Sequence, residues 1–202
     1  MTKAPGLNAF NPHQAVTSPS PWVVRFAPWI KAGGSTLDVA AGSGRHSLFL
    51  ALQGFSVLAI DRDAEALGLL QELSTHLPIV TQQHDLEGLN WPLVPAQIGL
   101  FDAIIVTNYL YRPYLDRLPE LLAESGILLY ETFAHGNAEY GKPSNPDFLL
   151  QKGELLDFAL RHGLSVLAYE DLYQPKPKPA MIQRICAVKG EPKERHPLQF
   201  AG

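Results

Sequence analysis

The sequence predicts an α/β fold, in which a doubly wound, mostly parallel seven-stranded sheet carries helices on both faces and ends in an antiparallel β-hairpin. Three observations predict it. Short β-rich runs alternate with helical runs from Gly33-Gly34 onward. The β-rich runs are continuously apolar, as in strands buried on both faces of a parallel sheet. The last two strands are separated only by residues 174–179, a segment too short for a crossover helix.

The seven predicted strands are set by these apolar runs and by the turn residues between them. The first five are expected to be parallel, and the last two are expected to pair as the hairpin. Their ranges are Thr36–Ala40, Ser56–Asp61, Pro78–Asp85, Phe101–Asn108, Gly126–Phe133, Leu164–Tyr173 and Met181–Lys189.

Capping residues and apolar spacing predict the helices. Ser20 is a suitable N-cap with Pro21 at the first helical position, and Pro28 predicts that this first helix ends early. A later helix ends in Arg161-His162-Gly163, with cations in its last turn and then a glycine. The four helices after the first are predicted at Arg45–Gln53, Asp63–Ser74, Leu118–Glu124 and Gly153–His162.

Composition limits the possible classes of protein. The 202 residues are 46% hydrophobic and 18% charged, which is typical of one globular domain and excludes disorder, coiled coil and collagen. The net charge of −4 predicts neither nucleic acid nor an anionic membrane as a partner. The single Cys186 excludes an internal disulfide and fits a reducing compartment. No apolar run approaches the ~18 residues of a membrane span, and no signal peptide is recognisable, so we expect a cytoplasmic protein.

We expect one domain at residues 20–190, preceded by an extended proline-containing lead-in at 1–19 and followed by a polar tail at 191–202.

The segment from Leu37 to Ser47 runs from a strand through a small-residue turn directly into a helix. Such a turn lets a ligand approach the backbone closely, although a purely structural tight turn has the same sequence features. The dinucleotide fingerprint requires a third glycine where Ser47 stands, and a phosphate-binding loop requires Gly-Lys-Ser/Thr, so both are disfavoured.

Two acidic positions follow the next strands. Asp61 stands at the carboxyl end of the second strand, where a carboxylate can accept both hydroxyls of a ribose. Asp63 is better placed to cap the following helix, which is expected to leave Asp61 free. After the third strand, Asp85 can accept a hydrogen bond from a purine amine and Leu86 can cover a ring face; a surface loop carboxylate is the alternative.

These residues together resemble the class I S-adenosylmethionine-dependent methyltransferases over roughly residues 20–190. The resemblance rests on the Asp38–Arg45 turn, on Ala-Ile-Asp61, on Asp85, on Phe101–Asn108 and on the closing hairpin. Within that family, Gly54–Arg62 with Ser18-Pro-Ser-Pro21 ahead of it is similar to the small tellurite-resistance-type methyltransferases. One departure is Ala40, which stands where the family has its first loop glycine.

The resemblance implies a Rossmann-like methyltransferase fold and a set of cofactor-binding residues. The turn is expected to lie under the methionine, Asp61 to bind the ribose, and Asp85 to bind the adenine amine. Thr107 and Asn108 are expected near the sulfonium. The full set of expected cofactor contacts is Asp38, Ala40, Gly42, Ser43, Gly44, Arg45, Asp61, Arg62, Asp85, Leu86 and Asn108.

The acceptor is expected to lie beside the segments that follow the fourth and fifth strands. An aromatic, partly cationic wall is predicted from Tyr109, Tyr111, Tyr114 and Arg112. His135 is the histidine placed to act as a base or to position the acceptor. A tyrosine-rich helix start with Arg112 on the surface, and an incidental loop histidine, are the alternatives. The spacing of the seven histidines and Cys186 predicts no metal site.

The sequence therefore predicts S-adenosylmethionine-dependent methyl transfer to a small molecule, with S-adenosylhomocysteine as the product. The alternatives are a methyltransferase acting on RNA or protein, a non-catalytic S-adenosylmethionine-binding protein, and an NAD-linked oxidoreductase, which the absent third glycine disfavours. The identity of the acceptor and the oligomeric state are left open.

Overall fold

The computed structural model describes residues 18–93 and 97–192 as an α/β sheet with helices on both faces. The seven strands, in chain order, are β1 (Ser35–Val39), β2 (Ser56–Asp61), β3 (Ile79–Gln83), β4 (Phe101–Thr107), β5 (Leu122–Phe133), β6 (Leu164–Gln174) and β7 (Ala180–Lys189). The helices are α1 (Pro21–Phe26), α2 (Arg45–Leu52), α3 (Ala64–Leu73), α4 (Arg112–Leu115), α5 (Leu118–Leu121) and α6 (Glu154–Arg161).

The strand order is β3-β2-β1-β4-β5-β7-β6. Strands β1 to β5 pair in parallel, whereas β7 lies antiparallel between β5 and β6. The predicted fold class, with its closing hairpin, is confirmed. Because the first five strands are parallel, their carboxyl ends meet at one edge of the sheet, and the β6–β7 turn lies at that same edge.

The core lies on both faces of the sheet, as the continuous apolar runs predicted. Successive residues of β4 face opposite sides: Ile104 packs in a cluster with the α4, α5 and α6 side chains, and Ile105 packs in a second cluster with those of α1 and α2. Both isoleucines are fully buried. The alternation explains why β4 is apolar at nearly every position.

The caps predicted from the sequence form at both early helices. Ser20 caps α1 by accepting the Trp22 N–H, and the helix ends at Phe26, two residues before Pro28. Asp63 caps α3 by accepting the N–H groups of Glu65 and Ala66. These two helices therefore begin where short polar side chains can satisfy unpaired backbone donors.

The prediction for residues 118–133 is partly wrong. The helix predicted to run to Glu124 ends at Leu121, and β5 begins at Leu122 rather than at Gly126. A register shift in the pairing of β4 with β5 follows Leu122, and Ser125 has a positive φ of 65°. The strand therefore passes through an irregularity that the helical apolar spacing of this segment concealed.

The predicted lead-in and the predicted tail lie almost entirely outside the described residues. Within those residues, no helix combines the length and the apolar character that crossing a bilayer requires.

Candidate functional site

The candidate site lies at the carboxyl edge of the sheet, where β1 stands between β2 and β4. The chain leaves β1 toward one side and reaches β4 on the other, so this is the point at which the strand order reverses. Ligands of open α/β sheets bind in the crevice outside such a point. The turn after β1, the end of β2 and the end of β4 therefore converge here.

The turn from Ala40 to Gly44 holds left-handed backbone at three positions. The φ angles are 54° at Ala40, 55° at Gly42 and 80° at Gly44. A Cβ on Gly44 would lie 2.4 Å from a methyl carbon of Leu70, so α3 packs directly against this glycine. The turn thus needs glycine at Gly44 for both conformation and space, whereas at Ala40 an alanine occupies a conformation that glycine adopts more readily.

Asp38 ties the turn to α2 from below. Its side chain is almost fully buried and accepts a 2.6 Å hydrogen bond from the Ser47 hydroxyl. Burial raises the pKa of the Asp38 carboxyl to about 6, and the bond from Ser47 opposes that rise. Asp38 does not line either cavity described below; it lies beneath the turn.

Asp61 is bound to the turn rather than free. One carboxylate oxygen accepts the Gly42 N–H at 2.7 Å, and the other accepts the Asp63 N–H at 2.9 Å. Asp63 caps α3 as predicted, but the expectation that this leaves Asp61 free is wrong, because the turn brings a backbone donor within reach. Each Asp61 oxygen has a second lone pair available to a ligand.

A first cavity of about 180 Å³ opens beside Asp61. Arg62 and Glu87 form an ion pair of 3.2 Å on its wall. The predicted Asp85 is exposed and outside this lining; its carboxylate accepts the Glu87 N–H at 2.9 Å. The lining residues are Ala40, Asp61, Arg62, Leu86, Glu87 and Tyr109.

A second cavity of about 250 Å³ lies on the other side of Ala40. It is open, and the turn backbone, the start of α2 and the end of β4 form its walls. Asn108 has a positive φ of 55°, as Ala40 does, so both strand ends flanking this cavity turn sharply. The lining residues are Ala40, Ala41, Gly42, Ser43, Arg45, His46, Thr107 and Asn108.

Tyrosine hydroxyls hold the wall of the first cavity. Tyr109 donates to the Leu86 carbonyl at 2.8 Å, Tyr114 donates to the Gly88 carbonyl, and Tyr130 donates to the Tyr109 carbonyl at 2.8 Å. Burial raises the pKa of Tyr109 and Tyr130 well above the usual range, so both stay protonated as donors. The first two bonds join the segment after β3 to the segment after β4, and the third joins that second segment to β5.

The residues predicted to face the acceptor are not brought together. Arg112 makes a bidentate pair with Glu154, the first residue of α6, at 2.7 and 2.8 Å, and donates to the Asp147 and Leu149 carbonyls. Tyr111 packs edge-on against Tyr114 in an apolar aromatic cluster. His135 is exposed just after β5 and lines neither cavity. Arg112 thus fixes the 147–149 segment.

Sequence reasoning assigned no cofactor contact to Glu87 or to His46, and both line the cavities. Glu87 lies two positions after Asp85, and the turn that Asp85 caps directs Glu87 to the wall. His46 is fully buried between α1, α2 and β4 although it stands in the first turn of a helix. Its position directly after Arg45, inside the small-residue turn motif, is the signal that could have found it. Among the described residues, no group of three or more His, Cys, Asp or Glu side chains is arranged to hold a metal ion.

Comparison with known proteins identifies a family model and a relative that match this chain. The model of the family described as tellurite resistance protein TehB matches residues 10–120, more than half of the chain. YqeM of Bacillus subtilis (strain 168), which is named as a methyltransferase, is 34% identical over 121 residues, covering 53% of this chain and 47% of YqeM.

Solved structures show the same fold at low identity. TehB from Haemophilus influenzae superposes with a TM-score of 0.68 at 23% identity, over 83% of this chain and 61% of that one. A S-adenosylmethionine-dependent methyltransferase from Methanosarcina mazei gives 0.65 at 15% identity, over 86% of this chain and 99% of that one. The chain therefore spans about half the length of YqeM and less than two thirds of the Haemophilus protein.

Proposed function

The chain belongs to the tellurite resistance protein TehB family, and we propose that it transfers a methyl group from S-adenosylmethionine to a small-molecule acceptor. The observation that carries the proposal is the pair of cavities that meet at Ala40, at the strand-order reversal. Their combined volume falls within the range of about 300–1,000 Å³ typical of small-molecule sites. One cavity suits an adenosine and the other suits an amino acid.

The first cavity takes the adenosine. Asp61 is already oriented by two backbone N–H groups, and its remaining lone pairs accept the two ribose hydroxyls. Leu86 and Tyr109 offer apolar faces to the purine, and the tyrosine hydroxyl bonds keep that wall in place. Glu87 also lines this cavity, and its carboxylate can accept a hydrogen bond from the purine amine. Asp85 remains the sequence-based prediction for that role.

The second cavity takes the methionine portion. The backbone of the Gly42–Gly44 turn approaches the ligand closely because small residues leave it uncovered. Arg45, half-buried in the wall, is the cation available to a carboxylate. Asn108 directly follows β4 and lines this cavity. A site built this way needs neither a third glycine nor a lysine, since the cofactor carries no phosphate.

When bound, S-adenosylmethionine supplies an electrophilic methyl group on a sulfonium. The protein's task is to hold the nucleophile in line with the methyl–sulfur bond, which breaks as the bond between nucleophile and carbon forms. The bonding electrons leave with the sulfur and yield a neutral thioether. We expect the acceptor to approach the two cavities past the ends of β4 and β5. Tyr111 and His135 remain predictions for contacts with the acceptor. An acceptor that carries a proton must lose it to a neighbouring base or to water.

Binding calorimetry tests the cofactor assignment. We expect S-adenosylhomocysteine to bind and NADH not to bind. Asp61→Ala should raise the dissociation constant for S-adenosylhomocysteine about 100-fold, because two charge-assisted acceptors for the ribose and the anchor of Gly42 are lost together.

Asp63→Ala is the matched control for that measurement. It removes the neighbouring carboxylate, which caps α3 outside the cavity, so the dissociation constant should change by less than about threefold. Equal effects of the two substitutions would contradict the assignment of Asp61, and tight NADH binding without a response to S-adenosylhomocysteine would contradict the proposed function. The acceptor class is tested by incubating the protein with methyl-labelled cofactor and a cell extract, then separating labelled metabolites from labelled RNA and protein.

A further inference from the structure

The imidazole of His46 joins three elements of the protein at the second cavity, called the methionine-side cavity from here on. His46 lines that cavity from the first turn of α2, and only 1% of its surface is exposed. Its Nε2 lies 3.1 Å from the backbone nitrogen of Ser20, ahead of α1, and its Nδ1 lies 3.3 Å from the Thr107 hydroxyl at the end of β4. A single side chain thus contacts the N-terminal segment, a cavity-lining helix and the strand that ends at the cavity.

The geometry fixes the tautomer of this histidine. A backbone N–H can only donate, so Nε2 must be the unprotonated acceptor and Nδ1–H must donate to Thr107. Burial, together with the nearby positive charge of Arg45, lowers the pKa of His46 to about 3. The imidazole is therefore neutral at physiological pH, and a proton on Nε2 would oppose the Ser20 N–H.

Ser20 connects this contact to the docking of α1. Its hydroxyl donates to the Glu131 carboxylate at 2.8 Å. The backbone carbonyl of Glu131 in turn accepts the N–H of Asn108, which lines the cavity. The second Glu131 oxygen accepts from Arg184, whose guanidinium lies 4.7 Å from the centre of the Trp22 ring on α1. The start of α1 is thus bonded to the cavity wall through His46 on one side and through Glu131 on the other.

We propose that His46 is a positioning residue that couples the docking of α1 to occupancy of the methionine-side cavity. The inference rests on the proposed function, because it needs a ligand in that cavity. A ligand that fixes the α2 start and the β4 end fixes the imidazole and its partner Thr107, and so restrains the other partner, Ser20. By linkage, a docked α1 favours the bound state to the same degree.

Hydrogen exchange of the α1 amides, measured with and without S-adenosylhomocysteine, tests the coupling together with calorimetry. In the unsubstituted protein, saturating S-adenosylhomocysteine should slow exchange in α1 about tenfold. His46→Leu fills the buried volume but offers no acceptor, so it should remove that slowing and raise the dissociation constant about tenfold. His46→Gln, whose amide both accepts and donates, should restore both values to within about twofold.

A second variant keeps the test independent of any folding defect in His46→Leu. Thr107→Val is close to isosteric and removes the partner that orients Nδ1–H, so it should reduce the slowing in α1 by about half while leaving the fold intact. A purely local contact of Thr107 with the ligand would change affinity without changing exchange in α1. Equal slowing of α1 exchange in all four proteins would overturn the coupling while leaving the proposed function standing. An unsubstituted protein that does not bind S-adenosylhomocysteine would overturn both.

Discussion

The sheet has two halves that hold their candidate site residues differently. In the β1–β4 half, Asp61, Gly42 and Asn108 lie at a strand end or within three residues of one, and they line two adjoining cavities. Toward the β5–β7 half, the residues predicted to face the acceptor diverge: His135, just after β5, is exposed, and Arg112, the first residue of α4, is bound to Glu154 of α6. Parallel pairing brings the residues at the carboxyl ends of the strands to one edge of the sheet. The positions of residues in long connecting segments depend instead on tertiary hydrogen bonds.

The largest effect that sharpens this comparison is expected at Gly44. Gly44→Ala adds a Cβ that overlaps Leu70 and forces a non-glycine residue to a φ of 80°, so the free energy of unfolding should fall by about 3 kcal/mol. Gly42→Ala is the matched control in the same turn, where the φ is 55° but the added Cβ meets nothing within 4 Å; it should cost about 1 kcal/mol. Urea denaturation measures both. Equal losses would mean that close packing against α3 does not constrain the turn.

The next effect depends on pH and concerns His46. Its folded pKa of about 3 lies below the unfolded value near 6.5, so the folded state binds fewer protons between these values and loses stability as the pH falls through that window. His46→Gln removes this contribution. Relative to His46→Gln, the unsubstituted protein should therefore lose about 2 kcal/mol between pH 7 and pH 5.

Asp38 contributes a pH dependence of the opposite sign to the free energy of unfolding, and it is present in both of those proteins. Its folded pKa of about 6 exceeds the unfolded value of 3.8, so its contribution is present at low pH and is lost as the pH rises from about 4 to 6. Because it cancels in the difference between the two proteins, urea titrations at each pH isolate His46. A difference that does not change with pH would show that His46 is not buried as a neutral group.

A smaller effect is expected where α4 contacts the segment between β5 and β6, at the edge of the β5–β7 half. Arg112→Gln removes a bidentate ion pair and two bonds to backbone carbonyls, so the free energy of unfolding should fall by about 1.5 kcal/mol. Because these contacts fix the segment at 147–149 and not a cavity wall, affinity for S-adenosylhomocysteine should stay within about twofold. Glu154→Gln, which removes the same charge pair from the other side, serves as its control. A large loss of affinity in either variant would erase the distinction between the halves.

The smallest expected effect is a gain in the free energy of unfolding rather than a loss. Ala40→Gly relieves a non-glycine residue at a φ of 54°, so the free energy of unfolding should rise by about 1 kcal/mol. The adjacent Ala41, which is buried, is the control: Ala41→Gly should lower the free energy of unfolding by about 1 kcal/mol. Thermal unfolding of the two variants checks this, and a loss at both positions would show that Ala40 is not strained.

Most of the architecture could be predicted because its determinants are local. Continuous apolar runs identified the strands, and Ser20 and Asp63 were recognisable as caps from their neighbours alone. The start of β5 at Leu122 could not be predicted, because the irregular pairing that extends the strand depends on β4, about twenty residues away in the chain. Helical apolar spacing in 118–124 then gave the wrong boundary.

For the candidate site, the sequence by itself determined the turn after β1 and the acid after β2, because a parallel strand delivers its next residue to one edge of the sheet. Only the tertiary structure decided that Asp61 also holds the Gly42 N–H, that Glu87 rather than Asp85 lines the first cavity, and that His46 bonds Ser20. Each of these contacts joins segments that no local pattern relates. A hydrogen bond has an energy only when both partners are in place, and the fold alone brings them together.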